Sequence, residues 1–281
     1  MSAGSWWGCS ASACSIRRGP SVLLADLALR LATRAPAPLA AMGLIGEGIG
    51  LWSRGLRQRT AWADHHGACM AVILRAMQGL PQRRGCVVLG SGPARDIPVE
   101  ALATAFETVT LVDAVHLAPV RWRLRRLKNV HFAVADLSGI GDWIAGTATD
   151  RSAPLAGLVG PQTDLVISCN LLSQLPIGVE TALEAKPARA AALPADLRRR
   201  AVEGHLADLA ACPGRVCLIT DTDWREEDRS GRVLERHPML HGVNLPPGDE
   251  TWDWPVAPFG EVLRHVRYVH EVRAFAVWPK P

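Results

Sequence analysis

The chain has 281 residues, 48% of them hydrophobic, and a formal net charge of +4. That is enough apolar material for one large α/β core with an appended segment. The small charge excess, with no dense basic stripe, argues against a nucleic-acid partner.

Seven cysteines (Cys9, Cys14, Cys69, Cys86, Cys169, Cys212 and Cys217) form no Cys-x-x-Cys pair. A disulfide framework or a zinc module is therefore not expected, and a reducing, cytoplasmic setting is. No basic stretch precedes an apolar core at the start, so no secretory signal is read. Beyond the first 16 residues the longest uncharged run, 165–179, is shorter than the roughly 20 residues of a membrane span.

In chain order, residues 1–20 are rich in Ser, Gly, Ala and Cys without period and predict a flexible tail. Residues 21–80 predict a helical cap. A short amphipathic helix over 21–33 ends before Pro36 and Pro38, and a second runs from Leu39 to about Arg57 despite four glycines. The Gly46-Glu-Gly-Ile-Gly50 run has no preceding strand and reads as helix surface rather than a phosphate loop. Residues 59–79 form the clearest helix, with Trp62, His65 or His66, and Cys69 along one side. A His65/Cys69 metal pair is conceivable by spacing, but two ligands do not make a site.

The centre of the chain is 85–96, Gly-Cys-Val-Val-Leu-Gly-Ser-Gly-Pro-Ala-Arg-Asp. A buried strand breaks into the turn Gly90-Ser91-Gly92, where missing Cβ atoms let a ligand reach the backbone N–H groups. Asp96 ahead of Pro98 is expected to cap the next helix. Strands follow at 108–113, ending in Asp113, at 129–136, ending in Asp136, and at 163–170, ending in Asn170. A fifth at 214–221 ends in Asp221, with Asp223 just beyond. Between them lie a helix bearing Arg121, Arg123, Arg125, Arg126 and Lys128, read as a solvated face, and a long helix over 194–212. On the latter, Arg198, Arg199, Arg200 and His205 are expected at the surface. Residues 226–260 read as an excursion over the site, with a weak sixth strand around 239–245, and 265–278 as a final long strand. Alternation of strand and helix predicts an α/β fold: a doubly wound, mostly parallel sheet over residues 81–281, with its ligand edge at the strand C-termini.

From about residue 60 onward the order of these segments resembles the class I S-adenosylmethionine-dependent methyltransferases, specifically a poorly characterised bacterial branch. The resemblance implies a Rossmann-like, seven-stranded-type sheet and S-adenosyl-L-methionine as cofactor. It places the methionine part on Gly90, Ser91 and Gly92, with Asp96 near its charged end. The ribose falls to Asp113 and Ala114, the adenine to Asp136 and Leu137, and Asn170 lies beside the methyl group. Candidates to orient or deprotonate an acceptor are Asn170, Gln174, His66 and Asp221, with His65 and Asp223 as further bases and Trp62 and Trp224 as walls. A small-molecule acceptor is expected, and a peptide tail is not excluded. Two positions depart from the family pattern: Val88 stands where an acid is usual, and Ala94 where a third glycine is. The sequence leaves two alternatives open. One is a non-catalytic S-adenosylmethionine-binding module; the other is an NAD(P)-dependent oxidoreductase, whose Gly-x-Gly-x-x-Gly is broken here by Arg95.

Overall fold

Position 165 to position 169 is buried at every residue, the mark of a central strand covered on both faces. The computed structural model, which describes residues 20–33, 43–184 and 186–279, builds one sheet around it. The strands are β1 (Gly85–Leu89), β2 (Thr108–Asp113), β3 (Val130–Val134), β4 (Thr163–Cys169), β5 (Arg215–Asp228), β6 (Val233–Pro238), β7 (Glu250–Ala257) and β8 (Val266–Phe275). Their order is β3-β2-β1-β4-β5-β8-β7, with β6 paired to β5. The first five are parallel, whereas β8 runs antiparallel to β5 and β7 antiparallel to β8. A parallel half closed by an antiparallel hairpin is the Rossmann-like methyltransferase architecture that the sequence predicts.

Nine helices lie among the described residues: α1 (Pro20–Ala32), α2 (Leu44–Arg57), α3 (Ala63–Ala76), α4 (Val99–Ala105), α5 (Ala118–Leu124), α6 (Gly141–Ala145), α7 (Leu175–Glu184), α8 (Pro187–Ala190) and α9 (Leu197–Ala211). None is long and apolar enough to cross a membrane. The tail predicted over 1–20 lies, but for Pro20, outside the described residues, as does the predicted start of the second helix at Leu39. Gly46–Gly50 sits inside α2, so the glycine run is helix, as read.

Two cores flank the sheet. On one face Ile49 of α2, and Cys69, Val72 and Ile73 of α3, pack with Val88, Ile167 and Ile219; on the other, Leu175 and Val179 of α7 and Leu197 and Leu209 of α9 pack with Leu89, Val166 and Leu218. The N-terminal helices thus share the sheet's own core. They are also tied to the far end of the chain, since Trp62 Nε1 donates to the Val256 carbonyl at 3.1 Å and Arg57 pairs with Glu261 at 2.9 Å.

Four expectations are corrected. The hairpin partner of the last strand is β7, over Glu250–Ala257, not 239–245, where Met239 and Leu240 are buried without forming a strand. Its Trp252-Asp-Trp-Pro sequence hides the alternation. Residues 226–260 are accordingly not an excursion, because β5 continues to Asp228 and pairs with β6 and β8. That extension is rich in charge, with Glu227 held between Arg225 and Arg267 at 2.6 Å each and Asp223 paired to Arg236 at 3.3 Å, which is why it read as loop. Asp96 caps nothing: α4 begins at Val99 with Pro98 at its N-cap. His205 is fully buried rather than at the surface, its Nε2 2.9 Å from Ser168 Oγ. Burial, with the charge of Arg151 beside it, lowers its pKa to about 3, so it is packed as a neutral ring.

Candidate functional site

In-register pairing sets Leu89 opposite Val112, Asp113 opposite Val134, Leu89 opposite Ser168, and Cys169 opposite Ile219. The residues that follow each strand therefore meet along one edge. Gly90 turns there with φ +69°, and a Cβ on it would lie 2.9 Å from Leu171 Cβ, so glycine is required on both counts. Ala94 also takes a positive φ, +50°.

Asp113 stitches the turn to the second strand. Its Oδ2 accepts the Gly92 N–H at 2.7 Å and its Oδ1 the Val115 N–H at 3.3 Å. Burial pushes its pKa up, against the pull of these bonds and of His116. Asp136 staples its own loop, accepting from Ser138 N at 3.0 Å and Gly141 N at 2.7 Å.

These groups surround a cavity of about 120 Å³ that brings together Gly90, Asp113, Ala114, Asp136, Leu137 and Gln174. Leu44 of α2 and Leu171, Leu175, Gly178 and Val179 near α7 complete its wall. Sequence reasoning missed these. The leucines carry no chemical signature, and only the docking of α2 and α7 over the strand ends gives them a role. Glu47 of α2 accepts from Thr181 of α7 at 3.3 Å across the roof; burial raises its pKa despite that bond.

Other predicted residues lie apart from the cavity. Ser91 is buried and its hydroxyl has no partner among the described residues. Asn170, in the left-handed region at φ +52°, turns its amide under the strand end, donating to Asp96 Oδ2 at 2.8 Å and lying 3.0 Å from His65 Nε2. Around it are Cys69 Sγ at 3.7 Å and Cys169 Sγ at 3.6 Å. Burial raises the Cys69 pKa, but hydrogen bonds from Cys169 and His65 outweigh it and bring it to about 7.

His65, Cys69 and Asp96 each offer a ligand atom within 4.8 Å of the others. A metal fits this set poorly. The Trp252 indole donates to His65 Nδ1 at 3.1 Å, which puts the neutral ring's proton on Nε2, the nitrogen a metal would need. The cluster is a hydrogen-bonded hub between α3 and the sheet.

Asp221 is fully buried, its Oδ2 taking His270 Nδ1 at 3.0 Å and Ser173 Oγ at 3.2 Å. His66 lines a separate groove beside Arg95, and burial lowers its pKa. Of the two candidate walls, Trp62 is buried and packs edge-on against Trp254 at 5.1 Å, and the half-buried Trp224 stacks on His237 at 4.5 Å.

No protein-family model and no curated protein matches the chain. Solved structures that it resembles include 1,6-didemethyltoxoflavin-N1-methyltransferase of Burkholderia thailandensis, with its substrate and S-adenosylhomocysteine bound (17% identity, 86% of this chain and 91% of that one, TM-score 0.41). The N-methyltransferase NodS of Bradyrhizobium japonicum, in complex with S-adenosylhomocysteine, also matches (12%, 76% and 87%, 0.38). So does a putative Zn-dependent alcohol dehydrogenase of Rhodobacter sphaeroides (13%, 53% and 45%, 0.31). What assigns the fold is the strand order itself.

Proposed function

We propose that the chain is an S-adenosylmethionine-dependent methyltransferase acting on a small-molecule acceptor. The observation that carries this reading is the cavity at the ends of β1, β2 and β3, where a glycine turn and the carboxylates of two successive strands face one space. The donor set fits the cofactor. Asp113 has lone pairs left after its two backbone bonds and can accept both hydroxyls of a ribose. Asp136 and Leu137 flank the place of an adenine, and in the turn Gly90-Ser91-Gly92 it is Gly90 that faces the space for the methionine part, while the N–H groups of Gly90 and Ser91 donate to the Val112 carbonyl and that of Gly92 to Asp113. Arg95, in place of a third glycine, disfavours the nicotinamide alternative.

When bound, the cofactor supplies an electrophilic methyl group, so this chain's residues mainly align the acceptor and exclude water. Gln174, on the cavity wall beside Leu171, is placed to orient an acceptor. Asn170 acts from beneath the turn by donating to Asp96, a positioning role. Asp221, sealed by His270 and Ser173, needs a local opening before it can serve as a base. About 120 Å³ is less than the roughly 300 Å³ at which small-molecule sites begin. Ligand entry is therefore expected to part α2 from α7 at Leu44 and the Glu47–Thr181 contact. We also take residues 21–80 as a cap on the 81–281 unit rather than an independent domain, supported by their common core.

Calorimetry of the full chain with S-adenosylmethionine, S-adenosylhomocysteine and the nicotinamide dinucleotides tests this. Saturable heat with the first two alone is expected. A preference for a nicotinamide dinucleotide would overturn the reading.

A further inference from the structure

On the far side of the glycine turn, a groove of about 470 Å³ runs between α3 and the segment 94–100. Three arginines line it: Arg59 ahead of α3, Arg95 after the turn, and Arg123 at the end of α5, with Glu100 the one acid among its lining residues. Among the described residues none of the three forms an ion pair, whereas Arg57, Arg84, Arg151 and Arg225 all hold carboxylates.

The fold brings two of these cations together. Arg123 Nη2 donates to the carbonyl of Ala94 at 2.7 Å, the residue next to Arg95, and the Arg95 guanidinium is held 4.9 Å from the centre of the Trp52 ring. Arg95 Nε is buried with no hydrogen-bond partner among the described residues. Burial and the charge of Arg123 both press the Arg95 pKa down, as expected for like charges held close without a counterion.

We propose that this groove binds the phosphate group of a small anionic molecule between Arg59, Arg95 and Arg123. Guanidinium forks match phosphate oxygens in bidentate fashion, and a dianion relieves the repulsion between the fixed cations. The volume exceeds that of a bare oxyanion and falls in the range of small-molecule sites, so an organic part fills the remainder beside His66 and Met70. The site is separate from the cavity at Gly90 and Asp113 and stands whether or not the chain transfers methyl groups.

The test is calorimetry of the full chain at low ionic strength with inorganic phosphate and with phenyl phosphate. One saturable site is expected, weakening as salt is added because Arg59 and Arg123 are exposed. Arg95→Gln and Arg123→Gln should each weaken it about tenfold or more. Arg59→Gln, which removes no hydrogen bond or ion pair from the described structure, should weaken it severalfold with an unchanged melting curve. Arg199→Gln, at an exposed arginine paired with Glu203 on α9, should leave it intact. Tighter binding of phenyl phosphate assigns the site to a phosphate ester, and equal binding assigns it to free phosphate. No saturable heat with either probe, or equal weakening by Arg59→Gln and Arg199→Gln, overturns the proposal.

Discussion

Asp113→Asn exchanges a carboxylate for an amide of the same shape, and stability and binding should respond in opposite directions. Burial holds the Asp113 pKa above its ordinary value. For an acid, a raised folded-state pKa means that the folded chain holds the proton more tightly than the unfolded one. Its effect on stability is therefore unfavourable at neutral pH and is relieved as pH falls through the folded-state pKa. The amide carries no charge to penalise. It keeps an acceptor for the Gly92 N–H, now at 2.7 Å, and gives up the longer 3.3 Å bond from Val115. The melting temperature at pH 7 should then match or exceed that of the wild type. Binding loses more. Two ribose hydroxyls donating to a carboxylate make charge-assisted bonds of about 1.5–3 kcal/mol each, and the amide retains one acceptor at roughly half strength. The loss is about 2–4 kcal/mol, or roughly 30- to 1000-fold in Kd. Calorimetry with S-adenosylhomocysteine measures it beside a melting curve. An affinity within about threefold of wild type in a folded variant would take the ribose away from Asp113.

Gly90→Ala should cost about 2–4 kcal/mol in denaturant unfolding, from the left-handed backbone and the contact with Leu171; a loss under about 1 kcal/mol would show that the turn gives way. Asn170→Ala should destabilise by about 2–4 kcal/mol through its positive φ and the donor lost from Asp96. Asn170→Gly should recover only the backbone share, and equal stability of the two variants contradicts this. His205 has a depressed pKa, so the folded chain binds fewer protons than the unfolded one, and the stability it contributes is present above pH 6.5 and lost as pH falls toward about 3. At pH 4.5 that loss is roughly 2–3 kcal/mol. His205→Gln should flatten the dependence, and parallel pH profiles would refute the assignment. Deleting residues 1–58 removes Ile49 and Leu44 from the core and the cavity roof and should give insoluble protein, whereas deleting 1–18 should be tolerated. A soluble, cofactor-binding fragment beginning at residue 59 would show that 21–58 is not needed for the fold.

The parallel half of the sheet was legible in the sequence because its signals are local. Short apolar runs such as Val87–Leu89 and Leu165–Ile167 must be buried on both faces, and Gly90 must sit where φ is positive. The spacing from that turn to Asp113 and Asp136 fixes both acids at one edge whatever the rest of the chain does. Of the antiparallel half only the last strand was legible, the expected strand over 265–278 being β8. In β5 beyond Asp221, charged residues find partners on neighbouring strands, Glu227 with Arg267 of β8 and Asp223 with Arg236 of β6, so the stretch looks like loop until the ladder sets them together. Nor could a linear pattern tell a buried histidine from a solvated one. His205 and His65 owe their burial to Ser168, Trp252 and Asn170, residues 37 or more positions away. Tertiary structure likewise decided which side of the turn each candidate serves. Asp113 and Gln174 face the cavity, Asn170 and Asp96 hold the hub beneath it, and His66 opens onto the arginine groove. Chain direction fixes which residues reach the sheet edge, but the packing of α2, α3 and α7 against that edge determines what each of them touches.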